Sequence, residues 1–350
     1  MVTKLAINGL GRIGRMCLRA SLTNKDVEVI AINGTTSVQS AVHLLKYDSI
    51  HGKINNHIEV IDNDIVIDGH HIKFFSDRNP ANLPWGKLGV DIVIESTGKF
   101  NSGKDCQVHL NNGAKKVIIT APAKDNMPTI VMGVNQSTYI PEIHNIISNA
   151  SCTTNCLAPV AKVLHDTFGI VSGFMSTIHA FTSDQRSLDN SHKDPRRSRC
   201  CVQSIVPTTT GAAEALGLVI PELKGKLNGI SLRVPVANVS LTDLVIELSC
   251  DVTAEEVNLA LRNAAKGSMK GILDYCEEPL VSIDFLGNDN SAIIDALSTM
   301  VIAKRKVKVL AWYDNEWGYS CRVIDLAQYV GQKMITKEDD ESVLSEAVGH

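Results

Sequence analysis

The 350-residue sequence has no long run of apolar residues. A helix that crosses a membrane needs roughly 18 to 20 consecutive apolar residues, and no window of the chain approaches that length. The first nine residues, MVTKLAING, also lack the charged and apolar blocks of a secretory signal peptide. We therefore expect a cytoplasmic protein that has no membrane partner.

An excess of charge of one sign is also missing. Lysine and arginine total 34 against 38 acidic residues, which gives a net charge of −4. Five of the acids and one lysine lie in residues 337–350, so the rest of the chain carries 33 residues of each sign. A body without net charge gives no electrostatic reason to expect nucleic acid as a partner. The basic stretch 192–199 also lacks interleaved aromatic side chains on which bases could stack.

The cysteines do not form the pattern of a disulfide framework. Their number, nine, is odd, and they are scattered along a chain long enough to build cores without crosslinks. Zinc sites seldom leave a lone pair of cysteines without further close ligands, which argues against a site made of Cys152, Cys156 and His179. The sequence therefore predicts no metal, and a functional cysteine must be identified by its surroundings.

The first 150 residues alternate short β-type runs with intervening segments. Strand, glycine turn, helix and second strand follow one another over residues 4–36, and further β-rich runs lie at 90–94, 116–119, 129–131 and 145–147. This alternation predicts an α/β domain with a doubly wound, mostly parallel sheet.

The second half has a different pattern, which predicts an α+β domain. Apolar and polar residues alternate over 243–248, as in a half-buried antiparallel strand. Thr253 and Glu256 form a capping box before an apolar helix face, and residues 323–330 show a similar face for the last helix. The long, polar and basic segment 181–206 looks irregular, and such loops are usually functional or buried in an assembly.

The glycine turn has the spacing Gly9-x-Gly11-x-x-Gly14. It follows a strand and opens a helix, which is the context that a Rossmann-type dinucleotide site requires. The alternative is a glycine turn that only joins strand to helix. We expect the helix N-terminus to receive the pyrophosphate of a dinucleotide.

The second strand of this unit ends without a carboxylate. NAD sites usually place Asp or Glu there to bond the ribose 2′-hydroxyl, whereas this chain reads Asn33-Gly34-Thr35-Thr36-Ser37. The absence of a carboxylate points to NADP, or at least away from strict use of NAD. The alternative is an acidic contact supplied from elsewhere, because no Arg or Lys lies in this loop to bind a 2′-phosphate.

Residues 148–156, SNASCTTNC, form the densest polar cluster and lie where a strand turns into a helix. Cys152 falls in the first helical turn, where unpaired amides and the helix dipole stabilise a thiolate. His179 is the leading partner by context, although a lone histidine is more often structural. Threonines and arginines that suit an anion recur at Thr153, Thr182, 208–211, Arg197 and Arg233.

These motifs resemble those of the phosphorylating glyceraldehyde-3-phosphate dehydrogenase family, in its NADP-using bacterial or plastid branch. The match runs from residues 7–15, INGLGRIGR, to residues 312–320, WYDNEWGYS, and residues 148–156 match the active-site signature. The resemblance implies that Cys152 is the nucleophile and His179 its partner. It also implies a Rossmann-type doubly wound parallel sheet plus an α+β catalytic domain with a mostly antiparallel sheet.

The resemblance implies two phosphate sites and a cofactor site. Inorganic phosphate would be held by Ser151, Thr153, Thr210, Gly211 and Arg197, and the phosphate of the substrate by Thr182 and Arg233. The implied cofactor-binding residues are Asn8, Gly9, Gly11, Arg12, Ile13, Gly14, Gly34, Thr35, Arg78, Thr97, Gly98, Thr120, Asn190, Ser191, Asn315 and Tyr319.

The resemblance also implies domain boundaries and an assembly. The dinucleotide-binding domain would comprise residues 1–151 and 316–336, and the catalytic domain residues 152–315. Members are homotetramers in which the loop at 181–206, the S-loop, lies near the cofactor of a neighbouring subunit. Residues 337–350 extend past the usual end as an acidic tail without cysteine, which excludes a thiol switch there.

Two departures from the NAD-specific members point in one direction. Those members carry Asp where this chain has Gly34, and an apolar Leu-Pro pair where it has Asn190 and Ser191. We therefore expect a preference for NADP, with dual use of NAD and NADP as the alternative.

The expected activity is oxidation of D-glyceraldehyde 3-phosphate to 1,3-bisphosphoglycerate, and the reverse, through a cysteine thioester. One alternative is erythrose-4-phosphate dehydrogenase, whose members hydrolyse the thioester, although the complete stretch 207–213 supports phosphorolysis. Another alternative is a surface or binding role with vestigial catalysis.

Overall fold

The computed structural model describes the backbone of residues 2–348 and the side chains of residues 2–334. The chain forms two compact units. The first contains Met1–Ile130, Gln136–Ala150 and Ser320–His350, and the second contains Val131–Asn135 and Ser151–Tyr319. The first has a mainly parallel sheet and the second a mostly antiparallel one, which confirms the predicted fold class.

The first unit begins with a strand–helix–strand repeat. Its elements in chain order are β1 (Thr3–Asn8), α1 (Arg12–Ser21), β2 (Val27–Asn33), α2 (Val38–Lys46), β3 (Tyr47–Asp48), β4 (Gly52–Lys53), β5 (Ile58–Ile61), β6 (Asp64–Ile67), β7 (His70–Phe75), α3 (Trp85–Leu88), β8 (Ile92–Glu95), α4 (Gly103–Asn111), β9 (Lys116–Ile119) and β10 (Ile146–Ser148).

The large sheet of this unit has the order β10-β9-β8-β1-β2-β7-β6-β5. Neighbouring strands are parallel from β10 to β7 in this order. The last two pairs, β7 with β6 and β6 with β5, are antiparallel. All residues of β8 and β9 are buried, because parallel strands are covered on both faces. The carboxyl ends of β1, β2 and β8 therefore meet at one edge, where ligands of doubly wound sheets bind.

The predicted strand at residues 129–131 is wrong. Thr129 makes only an isolated parallel bridge with Ser148. Pro128 has no N–H to extend the ladder in one direction. In the other direction, the Oδ1 atom of Asn135 accepts from the amide of Val131 at 2.8 Å. The β-type composition is therefore real, but proline on one side and the Asn135 side chain on the other prevent the ladder from extending.

The second unit contains a second sheet and its helices. Its elements are α5 (Cys152–Phe168), β11 (Ile170–Ala180), β12 (Val206–Thr209), α6 (Ala212–Val219), β13 (Leu227–Val234), β14 (Ser240–Leu248), α7 (Ala254–Lys266), β15 (Leu273–Cys276), β16 (Ala292–Ile302) and β17 (Lys306–Tyr313). The strand order is β12-β13-β11-β14-β17-β16-β15, with most neighbours antiparallel.

Two sequence patterns of this unit are confirmed. Burial alternates along β14, with the even-numbered residues from Ser240 to Leu248 buried. The capping box is present at α7, where the Oγ1 atom of Thr253 accepts from the amide of Glu256 and the Glu256 carboxylate accepts from the amide of Thr253. Residues 181–205, between β11 and β12, are irregular as expected.

The last helix, α8 (Trp317–Val348), has the predicted buried face, because Val323, Ile324, Ala327 and Val330 are all at most 2% exposed. The side chain of Gln328 bonds Asn24 and Asp26, which ties the helix to the strand–helix repeat of its own unit. The acidic tail predicted at residues 337–350 falls outside the residues whose side chains are described.

Candidate functional site

A pocket lies in the first unit at the carboxyl ends of β1, β2 and β8. Predicted cofactor residues contribute much of its lining, together with residues that the sequence did not single out. The lining residues are Asn8, Gly9, Leu10, Gly11, Asn33, Gly34, Thr35, Thr36, Asp77, Arg78, Pro80, Ser96, Thr97, Lys99 and Phe100.

The glycine turn brings its backbone close to this pocket. Gly9 has a φ of +106°, and a Cβ atom there would lie 2.7 Å from the amide nitrogen of Thr97. A Cβ atom on Gly14 would lie 2.0 Å from the carbonyl oxygen of Gly9, so α1 packs directly on the turn. A Cβ atom on Gly11 would meet nothing within 4 Å, which leaves room for a ligand.

The N-terminus of α1 fits an anionic group. Gly11 is the N-cap residue, so no side chain caps the helix, and the first turn carries no acidic residue. The first amides of a helix have no partner within the helix, and the dipole favours negative charge there. The turn and helix therefore fit the pyrophosphate of a dinucleotide.

A buried carboxylate supports the pocket, and the sequence reasoning missed it. Glu95, at the end of β8, is 2% exposed and accepts hydrogen bonds from the Nδ2 atom of Asn8 at 2.5 Å and the amide of Thr97 at 2.8 Å. The Thr97 hydroxyl also donates to it, and the Nε2 atom of His109 lies at 3.2 Å. The indole N–H of Trp85 donates to the Nδ1 atom of His109, so Nε2 carries the proton that faces Glu95.

The remaining predicted cofactor residues of this unit are not in the lining. The guanidinium of Arg12 instead pairs with the buried carboxylate of Asp48, whose pKa is held far below its usual range by Arg12 and two backbone amides, although burial opposes this. The Thr120 hydroxyl donates to the Glu95 carbonyl at 3.1 Å. Ile13, Gly14 and Gly98 also lie outside the lining set.

Gly34, Thr35 and Thr36 directly follow β2 and line the pocket. None of these three residues carries a carboxylate, as the sequence predicted for this strand end. The fold adds two exposed cations, Arg78 and Lys99, from other segments.

An acidic residue, Asp77, also lines the pocket. Its carboxylate accepts from the Asn79 amide at 2.8 Å and from the Nδ2 atom of Asn82 at 2.9 Å. Both bonds lower the pKa of Asp77, so the carboxylate is ionised and its oxygens are engaged within its own loop.

The second unit places Cys152 at the start of α5. Ser151 is the N-cap residue, and its Oγ atom accepts from the Thr154 amide at 3.1 Å. The Sγ atom of Cys152 lies 3.5 Å from the Nε2 atom of His179, near the end of β11. The fold thus brings together two residues that are 27 positions apart in the sequence.

Burial controls the ionisation of this pair. Burial raises the pKa of the Cys152 thiol above its ordinary value, while the charge of Arg233 and hydrogen bonds from Thr153 act in the opposite direction. Burial and the charge of Arg233 lower the pKa of His179 to about 3. At neutral pH the imidazole of the ligand-free protein is therefore uncharged.

Arg233 lies beside His179 because β11 and β13 are parallel neighbours with these two residues in register. Its Nη1 atom lies 2.7 Å from the Nδ1 atom of His179 and donates to the carbonyl oxygen of Ala180 at 3.0 Å. The Nε atom of Arg233 is buried without a hydrogen-bond partner in the described structure. A partly buried guanidinium with an unused donor is suited to an incoming anion.

Tyr313 contacts His179 and the residue that follows Cys152, and no sequence motif indicated this role. Its hydroxyl lies 2.9 Å from the Oγ1 atom of Thr153 and 2.8 Å from that of Thr177. Its ring packs edge-on against His179, with ring centroids 5.9 Å apart.

The other predicted phosphate residues lie in loops of the second unit. Arg197 donates to the Thr208 hydroxyl at 2.9 and 2.7 Å and pairs with Asp184, two partners that the sequence did not indicate. The hydroxyl of Thr182 donates to the side chain of Gln185 at 3.1 Å.

Thr210 and Gly211 connect β12 to α6. The Oγ1 atom of Thr210 accepts from the amide of Ala212 at 3.2 Å, and Gly211 is the N-cap residue of α6. A Cβ atom on Gly211 would meet nothing within 4 Å.

Four predicted cofactor residues belong to the second unit. The Oδ1 atom of Asn315 accepts from the Ser240 hydroxyl at 2.7 Å, and Tyr319 is 4% exposed. Asn190 and Ser191 are exposed in the irregular segment, where the Asn190 side chain accepts from the Ser191 amide at 2.7 Å.

The described residues contain no group of three or more His, Cys, Asp or Glu side chains placed to hold a metal ion. None of their helices combines the length and the hydrophobicity that crossing a membrane requires.

The fold and these residues define a class of protein, in which a dinucleotide-binding α/β unit is joined to a unit that carries a cysteine–histidine pair. Residues 3–103 match the family profile described as glyceraldehyde 3-phosphate dehydrogenase, NAD binding domain, and residues 151–315 match the C-terminal domain of the same family. The chain belongs to the glyceraldehyde-3-phosphate dehydrogenase family.

Curated relatives agree with the family profiles over nearly the whole chain. Glyceraldehyde-3-phosphate dehydrogenase of Geobacillus stearothermophilus is 59% identical over 333 residues, which cover 95% of this chain and 99% of the relative. Glyceraldehyde-3-phosphate dehydrogenase 2 of Bacillus subtilis (strain 168) is 57% identical over 334 residues, covering 95% of this chain and 98% of the relative. Glyceraldehyde-3-phosphate dehydrogenase 2 of Staphylococcus aureus (strain Mu50 / ATCC 700699) is 55% identical, with 97% and 98% covered.

Proposed function

We propose that this protein catalyses the phosphorylating oxidation of D-glyceraldehyde 3-phosphate to 1,3-bisphosphoglycerate, and the reverse reaction. The observation that carries the proposal is the 3.5 Å contact between the Sγ atom of Cys152 and the Nε2 atom of His179 at a helix N-terminus, in a chain of this family. Such a pair is suited to form a covalent acyl intermediate.

The proton of the Cys152 thiol goes to His179. In the tautomer of His179 that lets Arg233 donate to Nδ1, the imidazole proton is on Nε2, because a guanidinium can only donate. A substrate phosphate bound by Arg233 competes for the same Nη1 atom. Nδ1 can then donate to the Ala180 carbonyl, which lies at 2.7 Å, and Nε2 is left to take the proton of the thiol.

The thiolate attacks the aldehyde carbon, and a sulfur–carbon bond forms as the carbonyl oxygen becomes an oxyanion. The protonated imidazole of His179 and the amide of Cys152 stabilise that oxyanion. His179 passes its proton to the oxyanion and then takes the hydroxyl proton back as the carbonyl re-forms. When bound, the nicotinamide supplies the acceptor for the hydride that leaves the aldehyde carbon. The product of this step is a thioester on Cys152.

Inorganic phosphate then attacks the thioester carbon, and the Cys152 thiolate leaves as the acyl phosphate forms. Ser151, Thr153, Thr210, Gly211 and Arg197 would hold this phosphate, and Thr182 with Arg233 would hold the phosphate of the substrate. The unused, buried Nε donor of Arg233 and the open space at Gly211 support these assignments. In the first unit, Gly9, Gly11 and the first amides of α1 would hold the cofactor pyrophosphate.

We further propose that NADP is preferred, with dual use of NAD and NADP as the alternative. The end of β2 carries Gly34 and two threonines instead of a carboxylate, and Arg78 and Lys99 line the same pocket. Hydroxyls and cations favour a 2′-phosphate, which a carboxylate would repel. Asn190 and Ser191 replace the apolar pair of NAD-specific members, and this change supports the same preference.

A homotetramer in the cytoplasm is also proposed. Support for assembly comes from an exposed apolar face on the sheet of the second unit. The strand register aligns Phe174 of β11, Val245 of β14 and Met300 of β16 across that face, with Lys308 of β17 between the last two, and the three apolar residues are 70%, 43% and 56% exposed. An apolar face of this kind usually marks an interface, and most soluble oligomers are built from identical copies.

The test is steady-state oxidation of glyceraldehyde 3-phosphate with NAD and NADP in parallel, with and without inorganic phosphate. A higher kcat/KM with NADP and a strict phosphate requirement would support both proposals. Turnover without phosphate would favour the hydrolytic reaction of erythrose-4-phosphate dehydrogenases. A protein that binds cofactor but does not turn over would favour the binding role.

A further inference from the structure

Gly34 is a glycine that its backbone conformation does not require. It is buried and directly follows β2, and its amide donates to the carbonyl oxygen of Phe75 at 2.9 Å. Its φ is not among the positive values that favour glycine. Any L residue could adopt this conformation, so the reason for a glycine must be sought in the surrounding space.

Phe74 fills that space. A Cβ atom built on Gly34 would lie 3.3 Å from the Cζ atom and 3.6 Å from the Cε2 atom of Phe74. It would also touch the Cβ atom of Leu10 at 3.7 Å, which is an ordinary contact. The 3.3 Å approach is tighter than carbon atoms prefer, so even an added methyl group requires the ring to move. A longer side chain directed the same way would overlap the ring.

The strand pairing holds Phe74 in this place. β7 runs parallel to β2, with Phe74 in register with Ile32. Successive side chains of a strand point to opposite faces, and the next residue, Phe75, packs edge-on against the buried Trp85 at a centroid distance of 6.2 Å. The Phe74 ring therefore lies on the opposite face of the sheet from the Trp85 core.

We propose that Phe74 is a specificity-determining residue for the cofactor, because its ring occupies the space that a side chain at position 34 needs. The end of β2 is thereby kept free of the carboxylate that NAD sites place there. This inference rests on the proposed preference for NADP and deepens it. Cofactor choice then depends on two positions in contact, 34 and 74. An acidic residue at position 34 can bind the ribose of NAD only when the Phe74 ring is also removed.

A double-mutant cycle of Gly34→Asp and Phe74→Val tests the proposal with the full-length protein. For each variant, kcat/KM is measured with NAD and with NADP. We expect Gly34→Asp alone to lower kcat/KM with NADP by about tenfold or more and to leave NAD use weak, because the aspartate is forced out of position. The double variant should use NAD about tenfold better than Gly34→Asp alone. Equal NAD use by the single and double variants would overturn the proposal.

A second measurement needs no cofactor and separates the steric argument from the proposed function. Gly34→Ala should lower Tm by a few degrees, and by less in the Phe74→Val background. Gly103→Ala is the matched control, because its added Cβ atom would lie 3.5 Å from Asp125, an ordinary contact, and Gly103 also lacks a positive φ. Gly-to-Ala changes at unstrained positions are ordinarily neutral or stabilising.

The two measurements together distinguish failure of the steric argument, of the specificity role and of the proposed NADP preference. If Gly34→Ala is as harmless as Gly103→Ala, the ring does not exclude a side chain and the proposal is overturned. If Tm shows the coupling but kcat/KM does not, Phe74 packs against Gly34 without setting cofactor choice, which also overturns the proposal. If the unmodified protein prefers NAD while Tm shows the coupling, it is the proposed NADP preference that fails, and the specificity role fails with it.

Discussion

Arg233 places its Nη1 atom 2.7 Å from the Nδ1 atom of His179, the ring nitrogen opposite the one that faces Cys152. A guanidinium has only donors, whereas the carbonyl oxygen of Ala180, also 2.7 Å from Nδ1, can only accept, so the two contacts favour opposite tautomers of the ring. The contact with Arg233 holds the pKa of His179 low, second only to burial as a cause. Arg233 therefore favours both the tautomer with its proton on Nε2 and the uncharged state of the histidine that faces the thiol.

The low pKa of His179 gives a testable dependence of stability on pH. Its pKa falls from 6.5 to about 3 on folding, so between these values the unfolded chain binds more protons than the folded one. The free energy of unfolding therefore decreases as the pH falls from 6.5 towards 3, by up to about 1.4 kcal/mol per pH unit from this group. Denaturant titrations between pH 7 and 4.5 should show a shallower decrease for His179→Asn. Parallel curves for the two proteins would contradict this.

The buried Glu95 network should support both stability and cofactor binding. Glu95→Ala leaves the buried donors of Asn8 and His109, and the partly buried donors of Thr97, without their acceptor, and we expect it to cost about 3 kcal/mol of unfolding free energy. Cofactor affinity should fall as well, because Asn8 and Thr97 line the pocket. Glu28→Ala, at an exposed position of β2, should change the stability by less than about 0.5 kcal/mol. Similar losses for both variants would refute the network's role.

Arg197 should act on inorganic phosphate and not on the cofactor. Removing its charge in Arg197→Gln should raise KM for inorganic phosphate by about tenfold or more. The KM for NADP should change by less than about twofold, because the pocket of the first unit does not include Arg197. Arg199→Gln is a matched control in the same segment, where Arg199 makes an exposed pair with Asp189. If both variants raise KM for phosphate equally, the effect comes from the charge of the segment and not from Arg197.

The hydroxyl of Tyr313 should stabilise the second unit. Tyr313→Phe removes one oxygen that joins the buried hydroxyls of Thr153 and Thr177, and we expect a loss of about 1–2 kcal/mol in unfolding free energy. Tyr47→Phe serves as the comparison, because Tyr47 is 51% exposed and should change stability by less than about 0.5 kcal/mol. An unchanged stability of Tyr313→Phe would show that the two threonines pair without it.

The sequence predicted most of the fold because its patterns are local. The glycine turn between β1 and α1, the capping box at Thr253 and the alternation along β14 each involve neighbours within a few residues. The strand predicted at 129–131 failed although the cause is also local, because Pro128 has no N–H to donate and the side chain of Asn135 accepts from the amide of Val131. Composition alone cannot show which partner a backbone amide will take.

The candidate site was predicted where its residues form compact motifs, as at Cys152. It was missed where distant segments converge. Glu95 bonds Asn8 across 87 positions, and Tyr313 bonds Thr153 across 160. Likewise, the loop after β2 has no Arg or Lys, and the cations of the pocket, Arg78 and Lys99, come from other segments of the chain. The 3.3 Å approach of the Phe74 ring to Gly34 is also visible only in the folded chain.

The most direct test of the proposed chemistry mixes the enzyme with glyceraldehyde 3-phosphate and excess NADP in the absence of inorganic phosphate. We predict a burst of reduced cofactor close to one equivalent per chain, an acyl adduct on Cys152 by peptide mass spectrometry, and release of that adduct when phosphate is added. Cys152→Ser should show neither burst nor adduct. Steady turnover without phosphate, or an adduct on another residue, would contradict the proposed reaction.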